Sequence, residues 1–222
     1  MEDLIQQEKF EIEVLEYLNS GKFLDRMVFL GGTMMRLCYG LNRFSVDLDF
    51  WIIKEINVER FFKEMKSFLK KKYIIRDCAN KFHTILFEIG SSRYPRHLKI
   101  EIRKVAKKIK YEKTIAFSRF SNIQVLVNSI TLEDMLNLKV ESFLDRKEIR
   151  DCFDIEFLLK RGLPLIIEKE QAIEMTKIIR SFKENDYKVK LGSILEKKER
   201  DYYIKKNFEF LKMELRKIIN EV

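Results

Sequence analysis

The sequence predicts an α+β protein with a mixed α/β N-terminal lobe, residues 1–125, and an all-helical C-terminal lobe, residues 126–222. Three observations carry this. The chain has 222 residues, enough for one good-sized core or two small lobes. Short runs with period-two alternation, interleaved with helical patterns, end by about Val127. From Thr131 onward the apolar spacing is helical to the end. With only 7 Gly and 2 Pro, long regular elements should dominate over loops.

In chain order, residues 2–19 carry apolar positions at helical spacing (Leu4, Ile5, Phe10, Ile12, Leu15, Leu18), and Asn19-Ser20-Gly21 stops that helix. Met27 to Leu30 reads as a short strand running into Gly31-Gly32. Thr33 to Tyr39 reads as a helix ended by Gly40, and Asp47 to Ile53 as a strand. Asn57 caps a helix reaching about Lys71. Tyr73–Asp77, Thr84–Ile89 and Leu98–Arg103 are further strands, Lys104 to Lys113 reads as helix or exposed loop, and Ile123 to Val127 is the last strand. Thr131-Leu132-Glu133-Asp134 resembles a capping box. The stretch from Lys197 to Val222 has an amphipathic stripe of Tyr203, Ile204, Phe208, Leu211, Leu215 and Ile218.

Composition excludes several function classes. No apolar run approaches the roughly 20 residues that span a bilayer, so no membrane partner is expected. Met1 to Phe10 is acidic and amphipathic, unlike a secretory signal. Cys38, Cys78 and Cys152 are odd in number and lack CxxC spacing, which reads as reduced cysteines of a cytoplasmic protein. Two histidines, His83 and His97, exclude a His-rich zinc site. The net charge of +9 fits an anionic partner such as a nucleotide or RNA, and equally a solvated Lys-rich surface.

The chemistry concentrates in Asp47-Leu48-Asp49. Strand alternation sends both carboxylates to one face, close enough that ionising both is costly. A divalent cation relieves that cost, and hard cations such as Mg²⁺ or Mn²⁺ take a few carboxylates plus phosphate oxygens of an NTP. Glu101, flanked by Ile100 and Ile102, is the candidate third acid, for a second metal or as the base that deprotonates an attacking hydroxyl. Gly31-Gly32 lets backbone approach a phosphate, and the helix from Thr33 would aim its N-terminus at that phosphate. Thr33 would cap this helix or bond the phosphate. Arg43 and Ser45 would touch phosphate or lock the loop, and Arg36 would pair with an acid.

At these residues the chain resembles a known family. Phe29-Leu30-Gly31-Gly32-Thr33-Met34-Met35-Arg36-Leu37, then Arg43-Phe44-Ser45-Val46-Asp47-Leu48-Asp49-Phe50, is similar to the AbiEii/AbiGii toxin nucleotidyltransferases of the polymerase-beta-like superfamily. Asp134 to Lys139 and Arg150-Asp151-Cys152-Phe153-Asp154 resemble that family's Lys-containing and RD-x-x-D motifs. The resemblance implies a nucleotidyltransferase-like mixed sheet, metal-dependent transfer of a nucleoside monophosphate from an NTP, tRNA as a frequent acceptor, and a cognate antitoxin.

Lys139 stands out without the family. Leu132, Met135, Leu136, Lys139 and Phe143 form one helical stripe, and a lone ammonium in an apolar face needs a partner. It would contact NTP phosphate with Asp151 or Asp154 as its support, or snorkel to the lobe edge. Arg93, Arg96, Lys99, Arg103, Lys104, Lys107, Lys108 and Lys110 would track an RNA backbone or form a solvated face, with Tyr94 and Phe117 nearby as candidates for base stacking. A cleft between the two lobes is the default expectation for the site. Two alternatives remain beside the RNA-directed enzyme: a small-molecule nucleotidyltransferase, and a catalytically silent nucleotide- or RNA-binding protein.

Overall fold

The computed structural model describes residues 1–104 and 109–220, so Lys107 and Lys108 of the basic run lie outside the described residues. The chain divides into two compact units, Met1–Thr131 and Leu132–Val222.

The first unit holds helices α1 (Glu2–Ser20), α2 (Gly31–Tyr39) and α3 (Val58–Lys70) and strands β1 (Met27–Leu30), β2 (Asp47–Ile52), β3 (Ile74–Asn80), β4 (Thr84–Gly90), β5 (Leu98–Arg103), β6 (Tyr111–Phe117) and β7 (Gln124–Ile130). Among the described residues these strands make one mixed sheet in the order β3-β4-β5-β2-β1-β7-β6. β2 runs parallel to β5 and antiparallel to β1, while β1 runs parallel to β7. The core is aromatic and aliphatic, with Phe29, Phe50, Phe87, Leu48, Ile100 and Ile102 at most 1 % exposed.

Local chemistry explains the boundaries. The Asn57 side chain accepts from Arg60 N at 2.9 Å and starts α3, whose Phe61, Met65 and Leu69 turn inward. Gly40 takes a left-handed φ of 72° and ends α2 by donating to Arg36 O. α2 begins at Gly31, two residues before the expected Thr33. β7 continues to Ile130, past the expected end at Val127.

β6 corrects the expectation of helix or loop as far as Lys113. The face it turns to α2 is polar or small: exposed Glu112 bonds Tyr39, and Thr114 Oγ1 lies 2.6 Å from Ser129 Oγ. Its apolar positions Tyr111, Ile115 and Phe117 are instead about half exposed, the reverse of the usual pattern.

The second unit contains α4 (Leu132–Arg146), α5 (Ile149–Lys160), α6 (Lys169–Ser181), a π-helical turn (Asp186–Leu191), α7 (Lys197–Lys206) and α8 (Glu209–Asn220). α5 is buried nearly all round, as its apolar composition requires. The expected C-terminal stripe is split, because Asn207 and Phe208 both adopt positive φ, 54° and 55°. Tyr203, Phe208, Leu211 and Leu215 enter the core, whereas Ile204 is 38 % exposed. Glu156, itself fully buried, accepts from Leu211 N at 3.0 Å in the first turn of α8.

α1 does more than cover the sheet. Gln7, 1 % exposed, donates from Nε2 to Val46 O at 3.2 Å and to His97 O at 3.3 Å. Those residues immediately precede β2 and β5, so one carboxamide ties together the starts of the two strands that carry Asp47, Asp49 and Glu101. Each such bond contributes about 1 kcal/mol net. Gln7→Leu is expected to destabilise the first unit by about 1 kcal/mol, since the lost bonds are partly offset by removal of a buried, unpartnered Oε1. Urea unfolding followed by Trp51 fluorescence, which reports from β2, checks this. An unchanged midpoint would remove the clamp from the account.

Candidate active site

Asp47 and Asp49 leave the same face of β2, both partly exposed, while Leu48 and Phe50 on the other face are at most 1 % exposed. In the β2–β5 register Asp47 stands opposite Lys99 and Asp49 opposite Glu101. One patch of sheet therefore presents three carboxylates and an ammonium.

The glycine turn is built against this patch. Gly31 has φ of 84°, and a Cβ there would lie 2.5 Å from Asp49 Oδ2. At Gly32 a Cβ would meet Arg43 Nη2 at 2.6 Å and Ser45 Oγ at 2.7 Å. Only side-chain-free backbone allows the start of α2 to pass so close to Asp49, Arg43 and Ser45. No side chain caps α2. Thr33, completely buried, does not cap it either: Oγ1 donates to Asp47 O at 2.6 Å and fixes the start of β2 to the helix. Arg43, 4 % exposed, donates to Phe44 O at 3.0 Å, holding the loop ahead of β2.

Arg36 pairs with Glu8 of α1, donates to Leu41 O at 3.1 Å and lies over the Phe44 ring at 3.8 Å. Its role is to fasten that loop to α1. Glu8 is held in turn by Ser118 Oγ at 2.6 Å.

Glu101 is engaged by Lys99, to which it is ion-paired. This Glu101 contact, together with Asp47 and Asp49, raises the Lys99 pKa against the opposing effect of desolvation. The patch thus already draws one cation to itself. Among the described residues no group of three or more His, Cys, Asp or Glu side chains is assembled for a metal. Glu101 stands opposite Asp49 in the register, with its carboxylate ion-paired to Lys99. The two carboxylates of Asp47 and Asp49 are of the kind a hard divalent cation takes, and the cation would need further oxygens from elsewhere.

Behind the pair lies a residue that sequence reasoning missed. Glu11 of α1 is fully buried and neither carboxylate oxygen has a hydrogen-bond partner. Burial, then Glu8, raise its pKa well above the usual carboxylate range; Arg36 opposes this and Asp47 adds to it. In the sequence Glu11 looks like one more polar residue beside Gln7 and Glu8, and no local signal marks it as buried.

The second unit answers the question posed by Lys139. Its side chain is 8 % exposed, and its ammonium lies 2.6 Å from Asp154 Oδ2 and 3.1 Å from Asp151 Oδ1. Arg146 adds bonds of 3.0 and 2.9 Å to the two oxygens of Asp151. The ammonium is held inward by both aspartates and does not snorkel. Removing one partner of such a buried pair typically costs about 3–5 kcal/mol.

Among its described residues the basic run does not form one free stripe. Arg93 pairs with Glu13 at 2.6 Å, Arg103 lies over Trp51 at 5.8 Å, and Lys104 bonds Lys81 O. Tyr94 stacks on Phe10 at 4.6 Å and donates to Glu13, whereas Phe117 is 52 % exposed. Among the described residues no helix is long and apolar enough to cross a membrane.

The family model "Nucleotidyl transferase AbiEii toxin, Type IV TA system" matches residues 13–212. No curated protein sequence matches. Two Helicobacter pylori crystal structures share the fold. JHP933 is 21 % identical with a TM-score of 0.57, covering 98 % of this chain and 95 % of its own. A protein provisionally described as a nucleotidyltransferase is 22 % identical with a TM-score of 0.58, covering 98 % of both chains.

The raised pKa of Glu11 has a signed consequence for stability. The folded state binds this proton more tightly than the unfolded state, so stability is lost as pH rises from the ordinary carboxylate range toward the raised value. Glu11→Gln is neutral throughout and is expected to flatten that decline, making the variant more stable than wild type at neutral pH and similar near pH 4. Thermal unfolding between about pH 4 and 8 measures it. Parallel profiles for the two proteins would contradict the assignment.

Proposed function

This chain belongs to the AbiEii nucleotidyltransferase toxin family, and we propose that it moves a nucleoside monophosphate from an NTP to a hydroxyl of an RNA acceptor, with tRNA favoured. The observation that carries the reading is that Gly31 leaves no room for a Cβ beside Asp49: the start of α2 lies against the carboxylate pair, where its N–H groups would meet a phosphate. The net charge of +9 supports a polyanionic acceptor. The family's type IV toxin–antitoxin system implies a nucleotide substrate and an antitoxin partner.

The reaction balances simply. The acceptor oxygen bonds to the α-phosphorus, the bond from that phosphorus to the β-bridging oxygen breaks, pyrophosphate leaves, and the hydroxyl proton passes to a base. Asp47 and Asp49 would hold Mg²⁺ or Mn²⁺, which supplies charge stabilisation at the phosphate oxygens. The backbone N–H groups at Gly31 and Gly32 would bind the triphosphate, helped by the positive end of α2. Ser45 and Arg43 would shape the loop against it, and Glu101 would take the proton. For Lys139 we propose a phosphate contact whose position is fixed by Asp151 and Asp154 within its own unit.

Incubation with each α-labelled NTP, total RNA and Mg²⁺ tests the reading. Wild type is expected to label RNA, and Asp47→Ala or Asp49→Ala to reduce label to background with the fold retained. Label on small molecules instead would move the acceptor class. Undiminished labelling by either variant would sink the site assignment.

A further inference from the structure

The sheet register places a basic residue among the acids. Lys99 stands opposite Asp47 on the neighbouring parallel strand, and Glu101 opposite Asp49. Residues two apart on a strand share a face, so these four side chains form a two-by-two array. The intervening Leu48 and Ile100 are fully buried on the other face, which fixes that orientation. Lys99 and Glu101 remain 44 % and 38 % exposed. Lys99 does not point away into solvent: its ammonium is ion-paired to Glu101. Arg103, the next basic residue on the same face, lies over Trp51 instead.

We propose that Lys99 is the second cation of the site, so that the chain takes one divalent ion, on Asp47 and Asp49, while Lys99 supplies at Glu101 the positive charge that a second ion would bring. The inference rests on the function proposed above. Charge balance favours it. Within the four-residue array, before NTP binds, three carboxylates and one ammonium leave a net charge that one divalent ion neutralises, whereas a second would leave an excess of positive charge at short range. The ammonium also engages a Glu101 oxygen that a second ion would need, consistent with no three-acid metal cluster among the described residues.

Electron paramagnetic resonance of free Mn²⁺ during titration of the full chain counts bound ions without reference to activity. Wild type and Lys99→Arg are expected to bind one Mn²⁺ per chain, and Lys99→Met two. Lys99→Gln, with circular dichroism on every variant, guards against loss of fold. Two ions on wild type, or one on folded Lys99→Met and Lys99→Gln, would overturn the proposal while leaving the Asp47–Asp49 site standing. No Mn²⁺ on wild type would remove the metal site itself, and this inference with it.

Discussion

Asp47 and Asp49 occupy alternate positions on β2, so their carboxylates leave the sheet together and repel one another. Much of the first unit can be understood as holding them in place despite that repulsion. Thr33 ties the start of β2 to α2, Gln7 ties it to β5, and the Glu8–Arg36 pair fastens the preceding loop to α1. Gly31 and Gly32 are glycine because Asp49, Arg43 and Ser45 fill the space where a Cβ would go. A cation is the natural complement of such a patch, and Lys99 shows that the protein already recruits one.

Both units bury charge and handle it differently. In the second unit every member of the Lys139–Asp151–Asp154 group meets an opposite charge, with Arg146 completing the set. This makes α4 and α5 a matched pair whose register is fixed by charge as well as by packing. In the first unit Glu11 is buried without a hydrogen-bond partner, close enough to Asp47 for each to feel the other's charge. Because burial pushes the Glu11 pKa up, it is a site where stability is lost as pH rises.

The sequence made some of this legible and hid the rest for physical reasons. The Asp47–Asp49 pair, the glycine turn and the β5 strand bearing Glu101 could be read because alternation and glycine leave strong local marks. Lys139 could be read because a charge inside an apolar stripe demands a partner. The backing role of α1 could not, since Gln7, Glu8 and Glu11 look like the polar face of an amphipathic helix until the sheet is seen against them. β6 was hidden by its inverted pattern, with polar Glu112 and Thr114 on the face toward Tyr39 and with Ile115 and Phe117 exposed on the other. The break at Asn207-Phe208 was hidden because two non-glycine residues take positive φ, which only Asn tolerates at all readily. Lys99 was read as one member of a basic run, for RNA or for solvent, and its pairing with Glu101 shows when β5 is laid beside β2.

The most direct measurement of the central claim, that Asp47 and Asp49 hold a cation that binds NTP phosphates, is thermal unfolding with and without Mg²⁺ and each of the four NTPs. A ligand at about a hundred times its Kd stabilises by roughly 2.7 kcal/mol, an easily measured rise in Tm. Wild type is expected to show that rise with at least one NTP only when Mg²⁺ is present, and Asp49→Ala to show none. A full rise in Asp49→Ala, or no rise in wild type with any NTP, would contradict the account.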